Sequence, residues 1–198
     1  MTLLYSLPVV ADQYSSFEEL ALNETEGIDY KVIVKDQNSS ISLFAVHGGK
    51  IEPGTSELIT EIGGPYNQYH FMGQKEINNF SLHITSSRFN EPLALELAKK
   101  SKKCLAFHGY IGKGENAVCI GGGNTSLAES VAMTLTQSGL GFDVIYPCQR
   151  YPGLHPQNIV NRCIEQGVQI EMSGEVRTRI LKDKKFLKQF AKVLRNIL

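Results

Sequence analysis

The sequence carries no surplus of charge of either sign. Lys+Arg and Asp+Glu are 20 each, so the net charge is zero. A dedicated nucleic-acid binder would usually be basic, and none is expected as a partner. No apolar stretch approaches the length of a membrane span, so no membrane partner is expected either. Met1 to Val10 is apolar, but no Lys or Arg precedes the run, and it is too short for a secretory signal. The expectation is a chain made and folded in the cytoplasm that can act outside once a cell lyses. None of the four cysteines, Cys104, Cys119, Cys148 and Cys163, falls in a C-x-x-C pair. That argues against a cysteine-built zinc knot, and in a chain of this size the four read as buried thiols. No internal repeat is present. Gly121-Gly122-Gly123-Asn124 precedes a helical pattern but lacks the Lys-Ser/Thr of a phosphate loop and the third glycine of a dinucleotide fingerprint. It reads as a tight turn into a helix or as a loop that touches substrate.

What remains is an ordinary globular composition. With 198 residues, 42% of them hydrophobic, the chain can bury one full core, and a single domain over 1–198 is expected, as a monomer. Ser16 and Glu19 form a capping-box pattern ahead of a helix at 17–23. Ile28 to Asp36 and Ile41 to Val46 read as strand, turn and buried strand. Thr55 caps a short helix through Ile62, Phe80 to Thr85 reads as a strand, and Asn90-Glu91-Pro92 starts a helix to about Lys100. Then follow a buried strand at 104–107, a helix at 125–137 ended by Gly139, a strand at 142–146, a helix at 156–165 and a strand at 168–171. The basic tail from Arg177 to Leu198 places Phe186, Phe190, Val193 and Ile197 at helical spacing. It reads as a final helix packed on the sheet with its lysines in water, or, alternatively, as a surface that attracts a polyanion. The alternation predicts an α/β fold: a mixed, largely parallel sheet with helices on both faces.

Three expected strands end in polar groups: His47-Gly48-Gly49, His108-Gly109 and Glu171. In open α/β sheets, ligands bind outside the carboxyl ends of the strands. Catalytic zinc takes three protein ligands, usually histidines and a carboxylate, and leaves a position for water. His47 and Glu52 lie five residues apart across a Gly-Gly and Pro-Gly loop, a spacing suited to a loop that folds around a metal. His108 would be the distant third ligand. Glu171 is the candidate general base; its alternative is a structural pair with Arg177 or Arg162. Either arginine has the fork to grip a substrate carboxylate, or is a plain surface cation. His83 alone would read as a core histidine, and His70 and His155 as structural.

These residues lie in motifs that resemble those of the poly-γ-glutamate hydrolases of phages and bacilli. His47-Gly48-Gly49-Lys50-Ile51-Glu52-Pro53-Gly54 resembles the first. Leu82-His83-Ile84-Thr85-Ser86 with Phe89-Asn90-Glu91-Pro92 resembles the second. Phe107-His108-Gly109-Tyr110 resembles the third. Asn158 to Cys163, followed by Gly167-Val168-Gln169-Ile170-Glu171, resembles the fourth. The similarity runs from about Gly27 to Arg177, in family order. It implies a compact relative of the zinc carboxypeptidase fold that hydrolyses γ-glutamyl amide bonds of an anionic polymer. It implies His47, Glu52 and His108 as zinc ligands and Glu171 as base. His83, Lys50, Asn161, Arg162 and Arg177 are then expected on the substrate side. Asn161-Arg162 looks like the carboxylate-binding pair of carboxypeptidases, yet it follows the third ligand in sequence. Two other readings stay open: a zinc amidase acting on another acylated amino acid or a cell-wall peptide, and a catalytically silent polyanion-binding module.

Overall fold

The computed structural model describes residues 12–198, so the reading of Met1 to Val10 lies outside the described residues. Seven strands form one sheet: β1 (Tyr30–Lys35), β2 (Ile41–Gly49), β3 (Asn67–Gly73), β4 (Lys103–Gly109), β5 (Ala117–Gly121), β6 (Asp143–Ile145) and β7 (Gly167–Met172). Their order is β1-β3-β2-β4-β7-β5-β6. Strands β3, β2, β4 and β7 run parallel, β1 and β5 pair antiparallel to β3 and β7, and β6 is parallel to β5. The central strands are near-continuous buried runs because both faces are covered.

The helices are α1 (Phe17–Asn23), α2 (Thr55–Ile62), α3 (Pro92–Lys100), α4 (Thr125–Gln137), α5 (Gly174–Lys182) and α6 (Lys184–Arg195). One face of the sheet packs Leu43, Leu105, Phe107, Val168 and Ile170 against α2, α4, α5 and α6. The other packs Phe44, Val46, Tyr69, Phe71 and Ala106 against Leu20 of α1, Ala94 and Leu97 of α3, and two short 3-10 turns. Phe190 of α6 is fully buried, and burying a side chain of that size contributes about 2–3 kcal/mol. The mixed, largely parallel sheet with helices on both faces is as the alternation predicts.

Five of the local readings differ, and strands β3 and β5 have no counterpart among them. Phe80 to Thr85 is no strand: Asn79–Leu82 is a 3-10 turn, and the run buries its apolar side chains without joining a ladder. The segment expected as a helix at 156–165 holds only the 3-10 turn Ile159–Arg162. The tail forms two helices, because Asp183 ends α5 and its carboxylate caps α6 at the amides of Lys185 and Phe186. Thr55 is the first residue of α2, and the cap position falls on Gly54, at φ 104°. The cysteines are not free thiols. Cys104 bonds to Cys163 and Cys119 to Cys148, with Cα atoms 6.2 and 5.2 Å apart. Sheet order brings these pairs together across 59 and 29 residues, a proximity that C-x-x-C spacing does not reveal.

Candidate metal and catalytic site

The site forms where β2, β4 and β7 end. His108 and Glu171 are neighbours in the parallel β4–β7 ladder. His47 reaches them through a local irregularity. Between Ala45 and Gly48, β2 advances three residues while β3 advances two, from His70 to Met72. Such a bulge re-aims a side chain. His47 accordingly faces His108, with ring centroids 5.0 Å apart. Gly48 and Gly49 follow from this packing. A Cβ at Gly48 would lie 2.1 Å from the Ser56 hydroxyl, and Gly49 has φ 63°.

His47 Nε2 lies 2.8 Å from the carbonyl of Ile84. A carbonyl can only accept, so Nε2 carries hydrogen and Nδ1 is the atom turned toward the cluster, where, against the effect of burial, the Glu52 carboxylate raises the pKa of the ring. His47 Nδ1 is 3.2 Å from Glu52 Oε1 and 3.2 Å from His108 Nδ1. His108 Nδ1 is 3.7 Å from Glu52 Oε2. The amide of Gly109 donates to Glu52 Oε2 at 2.9 Å, pinning the carboxylate. His47, Glu52 and His108 are all buried, and their candidate ligand atoms lie within 4.8 Å of one another. Burial and the neighbouring His47 hold the pKa of His108 down at about 3. Burial pushes the Glu52 carboxyl up, but His47, His108 and His83 together outweigh it and pull the pKa down to about 2. A neutral imidazole and an ionised carboxylate are the forms that bind a metal. Two imidazole nitrogens and a carboxylate converging on one point fit the donor set of a zinc ion with an open position.

Glu171 is buried, and the side-chain amide of Gln169 donates to its Oε1 at 2.9 Å. Burial and the Glu52 charge push its pKa well up, against the pull of Arg177.

His83 reaches the same site from the coil after the 3-10 turn. Its ring lies 4.0 Å from that of His47 and stacks on Phe80 at 5.0 Å. Its Nδ1 is 2.6 Å from Asp12 Oδ1, and its Nε2 is 3.9 Å from Glu52 Oε1. Arg177 also lies at the site, but its guanidinium donates to the carbonyls of Pro53, Tyr110 and Met172. It ties together the chain just after Glu52, His108 and Glu171. Gly109 is glycine for the same reason, since a Cβ there would sit 2.3 Å from Arg177 Nε. Lys50 is exposed, with its ammonium on the carbonyl of Lys75 at 3.0 Å. Asn161 and Arg162 do not join the cluster. Asn161 bonds the amide of Gly123, and Gly167 accepts from Asn124, so the pair sits at the amino end of β7. Four residues of strand, roughly 13 Å, separate Gly167 from Glu171. Arg162 there donates to the carbonyl and side chain of Gln157.

Four neighbours escaped the sequence reading. Gln169 had a signal, since it alternates with Glu171 on a buried strand. Asp12 on His83, and Arg150 and Tyr151 beside Tyr110, had none, because these partners are remote in sequence.

The poly-gamma-glutamate hydrolase family profile matches residues 14–193. The chain belongs to this family. A bacteriophage poly-gamma-glutamate hydrolase superposes with a TM-score of 0.87 at 31% identity, over 94% of this chain and 96% of the other. The apo, zinc-free form of YndL gives the same score and identity, over 94% and 97%. Among sequences from Bacillus subtilis (strain 168), the SPbeta prophage-derived UPF0714 protein YoqZ is 35% identical over 170 residues, and UPF0714 protein YndL is 36% identical over 167. These alignments cover 85% and 84% of this chain, but only 61% and 66% of the length of those family members. A gene product of Agrobacterium tumefaciens shares the fold at 10% identity and a TM-score of 0.55, over 86% of this chain and 93% of its own.

Proposed function

We propose that this chain hydrolyses the γ-glutamyl amide bonds of poly-γ-glutamate, with His47, Glu52 and His108 holding a zinc ion. The observation that carries the reading is the convergence of two Nδ1 atoms and a pinned carboxylate, with a buried Glu171 next to His108 in the ladder. Bound zinc would polarise the scissile carbonyl and lower the pKa of water.

The protein's own groups do the rest. Glu171 takes a proton from the water that attacks the amide carbon. It then hands that proton to the nitrogen as the C–N bond breaks, leaving a carboxyl and a free amine. Gln169 holds the carboxylate in place. His83, oriented by Asp12, presents Nε2 toward the same space and can donate to substrate. Arg177 keeps the three loops in register. The two disulfides suit action in an oxidising medium outside the cell, where a capsule polymer lies.

The test is incubation with poly-γ-glutamate, with polymer size followed by gel filtration. Chain length should fall, stop falling with a chelator, and fall again once zinc is returned. Unchanged polymer under all three conditions contradicts the reading.

A further inference from the structure

A γ-linked glutamate polymer carries a free carboxylate on the carbon bonded to each amide nitrogen. The nitrogen that Glu171 would protonate therefore brings a negative charge close to a buried glutamate. A cation must meet that charge, and the three basic residues expected from sequence to do so are engaged elsewhere. Arg177 has each of its three nitrogens bonded to a backbone carbonyl, Arg162 lies at the far end of the strands, and Lys50 bonds the Lys75 carbonyl.

Arg150 is differently placed. Its guanidinium carbon lies 5.4 Å from the ring centre of Tyr110 and 5.2 Å from that of Tyr151. The two rings are themselves 5.6 Å apart. Tyr110 follows directly on His108-Gly109, and its amide donates to Met172, the residue after Glu171. A guanidinium resting against aromatic rings can keep its edge free for a planar, two-bond grip on a carboxylate. Among the described residues, the one acidic partner of Arg150 is Glu115 at 3.5 Å, and both side chains are about half exposed (56% and 45%). An exposed pair of this kind is weak and readily exchanged for a substrate carboxylate.

The loop that carries Arg150 is anchored to the base. Cys148 is bonded to Cys119, and Cys119 faces Glu171 in the β5–β7 ladder. The amide of Cys148 also donates to the Ile120 carbonyl at 2.9 Å. Gln169, which holds Glu171, reaches the Tyr151 carbonyl at 3.5 Å with the same amide nitrogen.

We propose that Arg150, resting against the rings of both Tyr110 and Tyr151 and positioned by the Cys119–Cys148 bond, reads the substrate carboxylate beside the scissile amide. The inference rests on the hydrolase reading above and assigns the specificity of that site to a residue outside the zinc set.

The test uses a short γ-linked glutamate oligomer and the same oligomer with its side carboxylates converted to neutral amides. Zinc-loaded parent, Arg150→Ala and Arg150→Lys are compared on both. The parent should prefer the carboxylate oligomer in kcat/KM, and Arg150→Ala should cut that preference by about 10- to 100-fold, the worth of a charge-assisted hydrogen bond. Arg150→Lys should restore only part of it. An unchanged preference in Arg150→Ala overturns the proposal, as does an equal loss on both oligomers. Calorimetry with each protein in a Glu171→Gln background reads binding without turnover. If the parent cleaves neither oligomer, the hydrolase reading fails on its own account. Calorimetry then decides on Arg150, and equal affinity with and without the guanidinium overturns its role.

Discussion

The two ends of the central strands carry similar residues and differ in what those residues leave over. At the amino end of β7, Asn161 satisfies both ends of its amide, on Gly123 on one side and on Gly153 and His155 on the other. Arg162 folds onto Gln157, and Asn124 caps α4. Every group there closes a local bond and holds a loop. At the carboxyl end, His47 and Glu52 each use one atom for position and keep another. His47 commits Nε2 to Ile84 and keeps Nδ1. Glu52 commits Oε2 to Gly109 and keeps Oε1. Convergence of spare valence, and not the mere presence of polar residues, separates a site from scaffolding.

The largest effect expected from this contrast belongs to Glu171. Glu171→Gln keeps shape and hydrogen bonding but cannot take a proton. Hydrolysis should slow by about 10² to 10⁴, while bound zinc and melting temperature stay near those of the parent. Loss of zinc instead would make Glu171 a ligand. Full activity would remove it from the chemistry.

His70 sharpens the comparison, because it has spare valence without convergence. Its Nδ1 is buried with no hydrogen-bond partner. Burial, with Lys35 nearby, lowers its pKa to about 4. The unfolded chain therefore takes up the proton first as pH falls. The stability this histidine contributes is complete above about pH 6.5 and is lost as pH falls toward 4, up to about 3 kcal/mol. In urea titrations, His70→Leu should flatten that limb, whatever it does to stability at neutral pH. An unchanged slope between pH 6.5 and 4 would show that His70 charges freely in the folded chain. The smallest effect belongs to the amino end. Arg162→Ala should leave polymer hydrolysis within about twofold and stability within about 0.5 kcal/mol. A tenfold drop in kcat/KM would mean that the substrate reaches both ends of the strands.

How far these features could be read from sequence follows from the range of the interactions that make them. The buried runs of β2, β4 and β7 and their polar ends are local, and so is the loop from His47 to Glu52; these were legible. β3 and β5 were not, since Asn67–Gly73 opens with Asn and Gln and is buried almost throughout, without alternation. The run from Phe80 looked like a strand because apolar content alone does not distinguish a ladder from a turn packed on a core. The bulge at His47, the disulfide partners and the three hydrogen bonds from Arg177 to three loops depend on which strands lie side by side. Arg150 follows the same rule. Its neighbour Cys148 is tied to a strand that pairs with Glu171, and no spacing along the chain records that.

The central claim is that His47, Glu52 and His108 form one metal centre. Metal content after equilibration with excess zinc and dialysis tests it most directly, in the parent, in Arg162→Ala and in single alanine variants at the three positions. The parent and Arg162→Ala should retain about one equivalent, and each of the three variants should fall well below it. Stoichiometric zinc in all three variants, or none in the parent, would contradict the account.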